Sequence, residues 1–347
     1  MSRKVKISNL YIGGGEKIAV QSMTTCRLKD QKASILAVKA LEDVGCDIVR
    51  FSVLDETDAR AIKEIKKEIK IPLVADIHFD YKLAIESIKN GADKIRINPG
   101  NIGGEENVKK VAEYLKEYSI PVRVGSNTGS IEKEFLSKFG KSEISLGESA
   151  LKNVALLEKY GVEDIVISVK ASDVKLSVKA YEYVAKRCDY PLHLGITEAG
   201  TEYGGTIKSA IGIGSLLLKG IGDTIRVSLS ADPVKEVIAG KEILSSLDLL
   251  KDAPKLVACP TCGRCAWDCM EFAKATEEFL RKINKPLKIA VMGCAVNGPG
   301  EAKDSDLGIA GAGNGDVVIF KKGEIIKKVN QTVAREIFFE EIKKCIQ

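Results

Sequence analysis

The 347-residue sequence predicts an α/β protein, an N-terminal TIM (β/α)8 barrel followed by a smaller C-terminal α+β domain. Three observations lead there. Short β-branched runs, each ending in a polar or charged residue, alternate with stretches of helical periodicity eight times over roughly 250 residues. Four of the strand openings are near-copies, V-G-C-D-I-V-R, N-G-A-D-K-I-R, Y-G-V-E-D-I-V and G-I-G-D-T-I-R. In these, glycine ends a helix and an acidic residue opens the strand, the punctuation a repeated αβ unit requires. Beyond about residue 250 the alternation stops, and five of the nine cysteines fall between positions 259 and 294.

In chain order the strands are I-A-V-Q-S-M from Ile18, D-I-V-R-F-S-V from Asp47, P-L-V-A-D-I-H from Pro72 and D-K-I-R-I-N-P-G from Asp93. P-V-R-V-G-S-N from Pro121, D-I-V-I-S-V-K from Asp164, P-L-H-L-G-I-T-E from Pro191 and D-T-I-R-V-S-L-S from Asp223 complete them. A doubly wound sheet usually has fewer strands, so eight βα units fit a barrel better. One loop breaks the rhythm: about twenty residues, Thr128 to Glu148, separate the fifth strand from its helix. A lid and an inert insertion fit that segment equally well. The pattern ends at S-L-D-L-L-K-D-A-P-K, which divides the chain into residues 1–250 and 251–347. The second part holds the cysteine cluster, a helix near Ala273 to Asn284, the strand K-I-A-V-M, the glycine-rich G-I-A-G-A-G-N-G-D, a short strand V-V-I-F and a final helix.

Composition narrows the function classes. Hydrophobic content of 45% with 29% charged residues is ordinary for a soluble globular protein. No apolar run reaches membrane-spanning length, and Met-Ser-Arg-Lys-Val-Lys leads directly into a strand-like segment, so neither a membrane span nor a secretory signal is expected. Nine cysteines without an export signal suit a reducing cytoplasm, where thiols serve metals or chemistry. The net charge of +5 is too small and too evenly spread to imply nucleic acid. Lysines interleave with glutamates on helical faces, as in E-I-K-K-E-I-K, the mark of a solvated surface.

Barrel chemistry sits at the C-terminal ends of the strands. Those ends carry Arg50 and Ser52, Asp76 and His78, Arg96 and Asn98, and Arg123 and Asn127. Ser168 and Lys170, His193 and Glu198, and Arg226 and Ser228 complete the set. Within most of these strands the polar residues are two or four apart and so share one face of the pleat. Four arginines and a lysine around one mouth repel each other unless an anion neutralises them, and guanidinium forks suit phosphate oxygens. Pairing of individual arginines with acidic residues in the barrel is the bland alternative, but few acidic residues share these strand ends. His78 and His193 read equally as proton donors or as hydrogen-bonded core residues. Glu198, just past the seventh strand, is the best placed general acid/base, with a loop-holding carboxylate as its structural alternative. Lys208 starts the next helix and is more often a surface lysine.

The cysteines admit three readings. Cys259, Cys262, Cys265 and Cys269 match C-x2-C-x2-C-x3-C, the run of bacterial ferredoxins, although Met270 stands where proline is expected. Structural zinc would need all four, because no histidine follows His193. A third choice takes Cys259 and Cys262 with Cys294, in M-G-C-A-V-N-G-P-G-E, and a non-cysteine fourth ligand. Spacing alone does not choose among them.

The segments V-A-D-I-H-F-D, R-I-N-P-G-N-I-G, S-V-K-A-S-D, L-H-L-G-I-T-E-A-G, K-S-A-I-G-I-G, G-D-T-I-R-V-S-L-S, A-C-P-T-C-G-R and G-C-A-V-N-G-P-G-E-A resemble the 4-hydroxy-3-methylbut-2-en-1-yl diphosphate synthase family. They run in order from about residue 70 to 310. The resemblance implies conversion of 2-C-methyl-D-erythritol 2,4-cyclodiphosphate to 4-hydroxy-3-methylbut-2-enyl diphosphate for isoprenoid synthesis, by a two-electron reductive ring opening at a [4Fe–4S] cluster. It makes the second domain an iron–sulfur domain, with Cys259, Cys262 and Cys294 as ligands and Glu301 as the fourth. Cys265 and Cys269 fall outside the family's motif, as packing thiols. It places substrate contacts at Arg50, Asp76, Arg96, Asn98, Arg123, Asn127 and Lys170, with Arg226 and Ser228 on the diphosphate, Asn297 near the cluster and Glu198 as the catalytic acid. Ferredoxin or flavodoxin is the implied electron donor, and a homodimer, barrel of one subunit against cluster domain of another, the implied assembly. Two other functions remain beside it. One is a ferredoxin-like carrier using the four-cysteine run with the barrel as scaffold; the other is a zinc-stabilised phosphate- or pterin-binding barrel.

Overall fold

The computed structural model describes residues 1–296 and 298–346, without the side chains of Pro299 and Glu301. The chain divides into two compact units, Met1–Leu249 and Leu250–Gln347. The first opens with a hairpin, β1 (Val5–Ile7) and β2 (Leu10–Ile12), and continues into β3 (Ala19–Met23), β4 (Ile48–Ser52), β5 (Leu73–Asp76) and β6 (Lys94–Ile97). Then come β7 (Val122–Asn127), β8 (Ile165–Lys170), β9 (His193–Leu194) and β10 (Thr224–Ile225). The eight strands from β3 onward match the eight expected, and they pair in the order β8-β7-β6-β5-β4-β3-β10-β9, all parallel. A parallel bridge between Ile167 and Leu192 joins the two ends of that order, so the sheet curls into a nearly closed barrel.

Aspartates set where the helices between strands begin. The carboxylates of Asp30, Asp55, Asp80, Asp173 and Asp232 each accept a backbone N–H in the first turn of the following helix. Such caps contribute about 1 kcal/mol apiece and keep the βα loops short. At the other end of the barrel, Val5, Ile7 and Ile12 of the hairpin pack on Ala19, Ile48, Val74 and Val166 near the starts of four strands. Burying each large aliphatic there is worth about 1.5–3 kcal/mol, so the hairpin is a hydrophobic floor and leaves the carboxyl ends of the strands as the mouth.

The long segment after β7 is not an open loop. It contains a 3-10 turn, Thr128–Ser130, a helix, Lys133–Phe139, and the start of the helix Glu143–Lys159. That last helix begins inside the stretch expected to be loop because Ser142 and Ser145 form a reciprocal cap.

The second unit is one five-stranded sheet: β11 (Lys255–Ala258), β12 (Lys288–Met292), β13 (Leu307–Gly313), β14 (Asp316–Lys321) and β15 (Glu324–Asn330). The first three strands run parallel and the last two antiparallel. Helices Cys269–Leu280 and Gln331–Ile346 cover one face, where Phe272 and Phe338 pack on Ile289, Ile309 and Ile319. The glycine-rich run is strand β13. Gly308 pairs with Phe320, and a β-carbon there would sit 2.1 Å from the Phe320 ring, so glycine is what lets the ring lie across the sheet. Among the described residues no helix is long and apolar enough to cross a membrane.

Candidate active site

The barrel mouth holds a cavity of about 140 Å³ whose wall includes Arg50, Asp76, Arg96, Arg123, Asn127, Lys170, Arg226 and Ser228. Each comes from a different strand end or from the two-residue period of one strand, as strand parity requires. His78, Ser168 and Thr197 share the wall. Asn98 does not: it is buried, and its side chain accepts from the Gly100 N–H to start a 3-10 turn. Glu198 follows Thr197 off the wall, exposed, with a left-handed backbone (φ 52°) unusual for a non-glycine residue. Asn297 lies outside the described residues.

Two glycines make the room. A β-carbon on Gly125 would lie 2.9 Å from the Arg96 guanidinium, and one on Gly195 would lie 2.7 Å from Lys170 Nζ. Any side chain there would displace a cation from the mouth.

Charge is unevenly matched across this wall. Asp76, 2% exposed, accepts from Arg96 Nη1 at 3.1 Å and lies 3.5 Å from Arg50 Nε. Burial would raise its pKa, but Arg50, Arg96, Arg123 and His78 outweigh that and hold it at about 2. Arg226 is paired from behind by Glu236 at 3.3 Å, and Glu236 also accepts from Ser22 Oγ and the Leu229 N–H. The Arg50 side chain leans on Met23 Sδ, 2.8 Å away. Arg123 is 1% exposed, and its Nε and Nη1 have no hydrogen-bond partner among the described residues. Burial, then Arg123, Arg226, Arg50 and Arg96, push the Lys170 amine well below the lysine range. Five cations thus face two carboxylates, and the excess asks for an anion.

Sequence reading missed Glu236, because it stands on the helix after β10 and not at a strand end. It missed a polar layer below the mouth as well. Lys94 is fully buried, and among the described residues neither its Nζ nor the two amide atoms of Gln21 have a hydrogen-bond partner. His193, also fully buried, bonds Thr224 Oγ1 at 2.6 Å, and burial followed by Arg123 and Lys170 keeps it well below the usual histidine range. Of its two readings, the hydrogen-bonded core residue is the one this geometry fits.

Pyrophosphate should raise the thermal midpoint of the ligand-free protein, by an amount equivalent to about 2.7 kcal/mol at a hundred times its dissociation constant. Differential scanning fluorimetry with and without Arg226→Gln checks this, and an equal shift in both proteins would place the anion elsewhere. Lys94→Met should stabilise the ligand-free fold by about 1–3 kcal/mol, because it removes an amine that burial, Arg123 and Arg50 hold well below its ordinary range. Such an amine lowers stability below pH 10.5 and ceases to do so above it, so the gain should shrink in urea titrations run toward that pH.

The second unit gathers thiols at one sheet edge. β11 and β12 are parallel with Ala258 beside Val291, so Cys259 leaves the sheet level with Met292 and Cys294 follows two residues later. The Cys259 N–H donates to Val291 O at 3.0 Å, and its side chain packs against the apolar cluster that Ala290, Met292, Ala302, Ala310, Val318 and Phe320 form. Cys294 is 8% exposed, while Cys262 is exposed and its thiol is pulled down by hydrogen bonding to Arg264. Glu301 closes the short helix Gly298–Glu301, which packs on β13; its side chain lies outside the described residues. No three cysteine, histidine or acidic side chains among the described residues converge on one ion. A multi-iron cluster does not require that, since each thiolate takes a different iron. Three unoxidised thiols, Cys259 and Cys262 in the chain after β11 and Cys294 just after the adjacent β12, fit a soft iron–sulfur group.

Comparison with known proteins follows the same division. Residues 2–241 match the family model described as GcpE TIM-barrel domain, and residues 255–344 match GcpE protein C-terminal domain. A 4-hydroxy-3-methylbut-2-en-1-yl diphosphate synthase (flavodoxin) of Caldanaerobacter subterraneus subsp. tengcongensis is 58% identical over 100% of this chain and 98% of its own. The protein of the same name from Ruminiclostridium cellulolyticum is 55% identical over 99% of this chain and 97% of its own. Among solved structures, Yersinia pestis dihydropteroate synthase superposes with a TM-score of 0.52 at 11% identity, covering 72% of this chain and 100% of that one. That likeness is one of barrel fold alone.

Proposed function

The chain belongs to the GcpE family, and from that membership we propose how its residues carry the family's reaction. It is an oxidoreductase, a 4-hydroxy-3-methylbut-2-en-1-yl diphosphate synthase of isoprenoid biosynthesis that draws electrons from flavodoxin. Its substrate is 2-C-methyl-D-erythritol 2,4-cyclodiphosphate. Two electrons and one proton enter; the ring C–O bond breaks to leave a new phosphate anion, and the hydroxyl departs as water. The product therefore carries one more negative charge than the substrate.

The observation that carries this reading is the excess of cations in the mouth. Arg50, Arg96, Arg123 and Arg226 present forks to diphosphate oxygens, and Lys170 adds a point charge between them. Because the new charge develops as the ring opens, these preplaced cations favour the opened state over the closed one. Asp76 holds Arg50 and Arg96 apart and in register, and Asn127 and Ser228 supply neutral polar contacts. Asn98 sets the turn after β6. Glu198 at the rim donates the proton to the departing hydroxyl, and the left-handed backbone there is strain of the kind found at functional residues.

A [4Fe–4S] cluster, held by Cys259, Cys262, Cys294 and Glu301, would supply electrons one at a time and an iron that accepts oxygen. A carboxylate is a harder and more displaceable ligand than a thiolate, which suits Glu301 to that position. Asn297 joins that site in the same proposal, as do a cytoplasmic location and assembly as a homodimer. Incubating anaerobically purified protein with the cyclodiphosphate and reduced flavodoxin should yield 4-hydroxy-3-methylbut-2-enyl diphosphate, detected by mass spectrometry. Unchanged cyclodiphosphate in the presence of iron-replete protein would refute the reading.

A further inference from the structure

Cys265 and Cys269 belong to neither proposed site, yet their sulfurs are 3.4 Å apart. The contact is held from both sides. The Ala266 N–H donates to Gly293 O at 3.0 Å and Trp267 Nε1 donates to Met292 O at 2.9 Å, which pins the intervening segment to the end of β12. Asp268 then caps the helix that Cys269 begins. Nothing separates Cys265 from the sheet: its sulfur would lie 3.1 Å from a β-carbon on Gly293. Cys265 is partly exposed, whereas Cys269 is 3% exposed and packs among Phe272 and Ile289.

We propose that Cys265 and Cys269 form an oxidation site, in which peroxide converts the accessible thiol and the buried one resolves it to a reversible disulfide. Cys265 sulfur attacks one peroxide oxygen, the O–O bond breaks, and water leaves with Cys265 as a sulfenic acid. Cys269 sulfur then displaces that oxygen as a second water. Two thiols and one hydrogen peroxide give one disulfide and two waters, and two electrons pass from sulfur to peroxide. A disulfide is about 2.05 Å long, so the sulfurs must close by about 1.4 Å to form it. The crosslink keeps Cys265 from irreversible over-oxidation and holds the segment after Cys262 in its folded course.

The test uses the full-length, iron-loaded protein and reads mass, independently of turnover. After exposure to hydrogen peroxide, the protein is denatured with an alkylating agent and digested with trypsin. Cleavage after Arg264 and Lys274 releases both cysteines on one peptide, Cys265–Lys274. The expected peptide is unalkylated and two hydrogens lighter than the reduced form, and dithiothreitol restores it. In Cys269→Ala, Cys265 should instead carry added oxygen. A doubly alkylated Cys265–Lys274 peptide beside oxidised cysteines elsewhere would overturn the proposal, as would a crosslink from Cys265 to Cys259, Cys262 or Cys294.

Discussion

Serine in place of Cys294 is expected to strip the chain of iron and abolish turnover while the barrel unit stays folded. Cys294 stands two residues beyond β12, 8% exposed, with its carbonyl accepting the Gly298 N–H that starts the next helix. A serine fits the same volume and leaves that backbone bond intact, so the loss is one of ligand chemistry: an alkoxide is a poor substitute for thiolate on a soft iron site. Changes in outer-shell partners alone cost about 10–100-fold in metal affinity or activity, and loss of a ligand should cost more. Iron analysis and the broad visible absorbance read the site, and the urea midpoint reads the fold. Cys269→Ser should keep iron and colour. If instead Cys269→Ser lost the iron and Cys294→Ser kept it, the ferredoxin-like spacing would be the functional one.

The second large effect is expected at Asp76. Replacing it with asparagine leaves Arg50, Arg96 and Arg123 facing one another with no carboxylate among the described residues of the cavity wall. Removing one member of a buried charge cluster costs about 3–5 kcal/mol, a large fraction of a typical domain's stability. The wild-type protein should show the same interaction through pH. The folded Asp76 value is depressed, so its stabilisation is fully present above the ordinary aspartate value of 3.8 and is lost as pH falls through about 2. Asp76→Asn should flatten that part of the pH–stability curve. Pyrophosphate should recover much of the lost stability, because the anion replaces the missing negative charge. A variant as stable as wild type without ligand would mean that the arginines are not held by Asp76.

What was legible in the chain follows from which physics is local. Each barrel strand announces itself by a short β-branched run, four of them opened by glycine and an acid, and the parity of Arg96 with Asn98 or Ser168 with Lys170 is visible before any coordinates. Lys133–Phe139 was hidden because none of its residues is buried, so no apolar stripe marks it. β15 is almost wholly exposed and carries little alternation, and β13 hides behind glycines whose reason, the Phe320 ring, lies on another strand. The cationic half of the site could be read from strand ends. Its counter-charges could not, since Glu236 reaches Arg226 from a helix and the loneliness of Lys94 is a property of three-dimensional burial. Likewise C-P-T-C-G-R-C-A-W-D-C offers four equivalent thiols as text, whereas folding buries Cys269 against Phe272 and leaves Cys262 exposed.

An asymmetric cluster site, three thiolates and one carboxylate, is the centre of the proposed chemistry. Mössbauer spectroscopy of the protein loaded with iron-57 under anaerobic conditions tests it most directly. About four irons per chain are expected, one of them spectroscopically distinct from the rest, altered by Glu301→Ala and by the cyclodiphosphate but not by Cys269→Ser. Four equivalent thiolate-bound irons, indifferent to Glu301→Ala and to substrate, would contradict it.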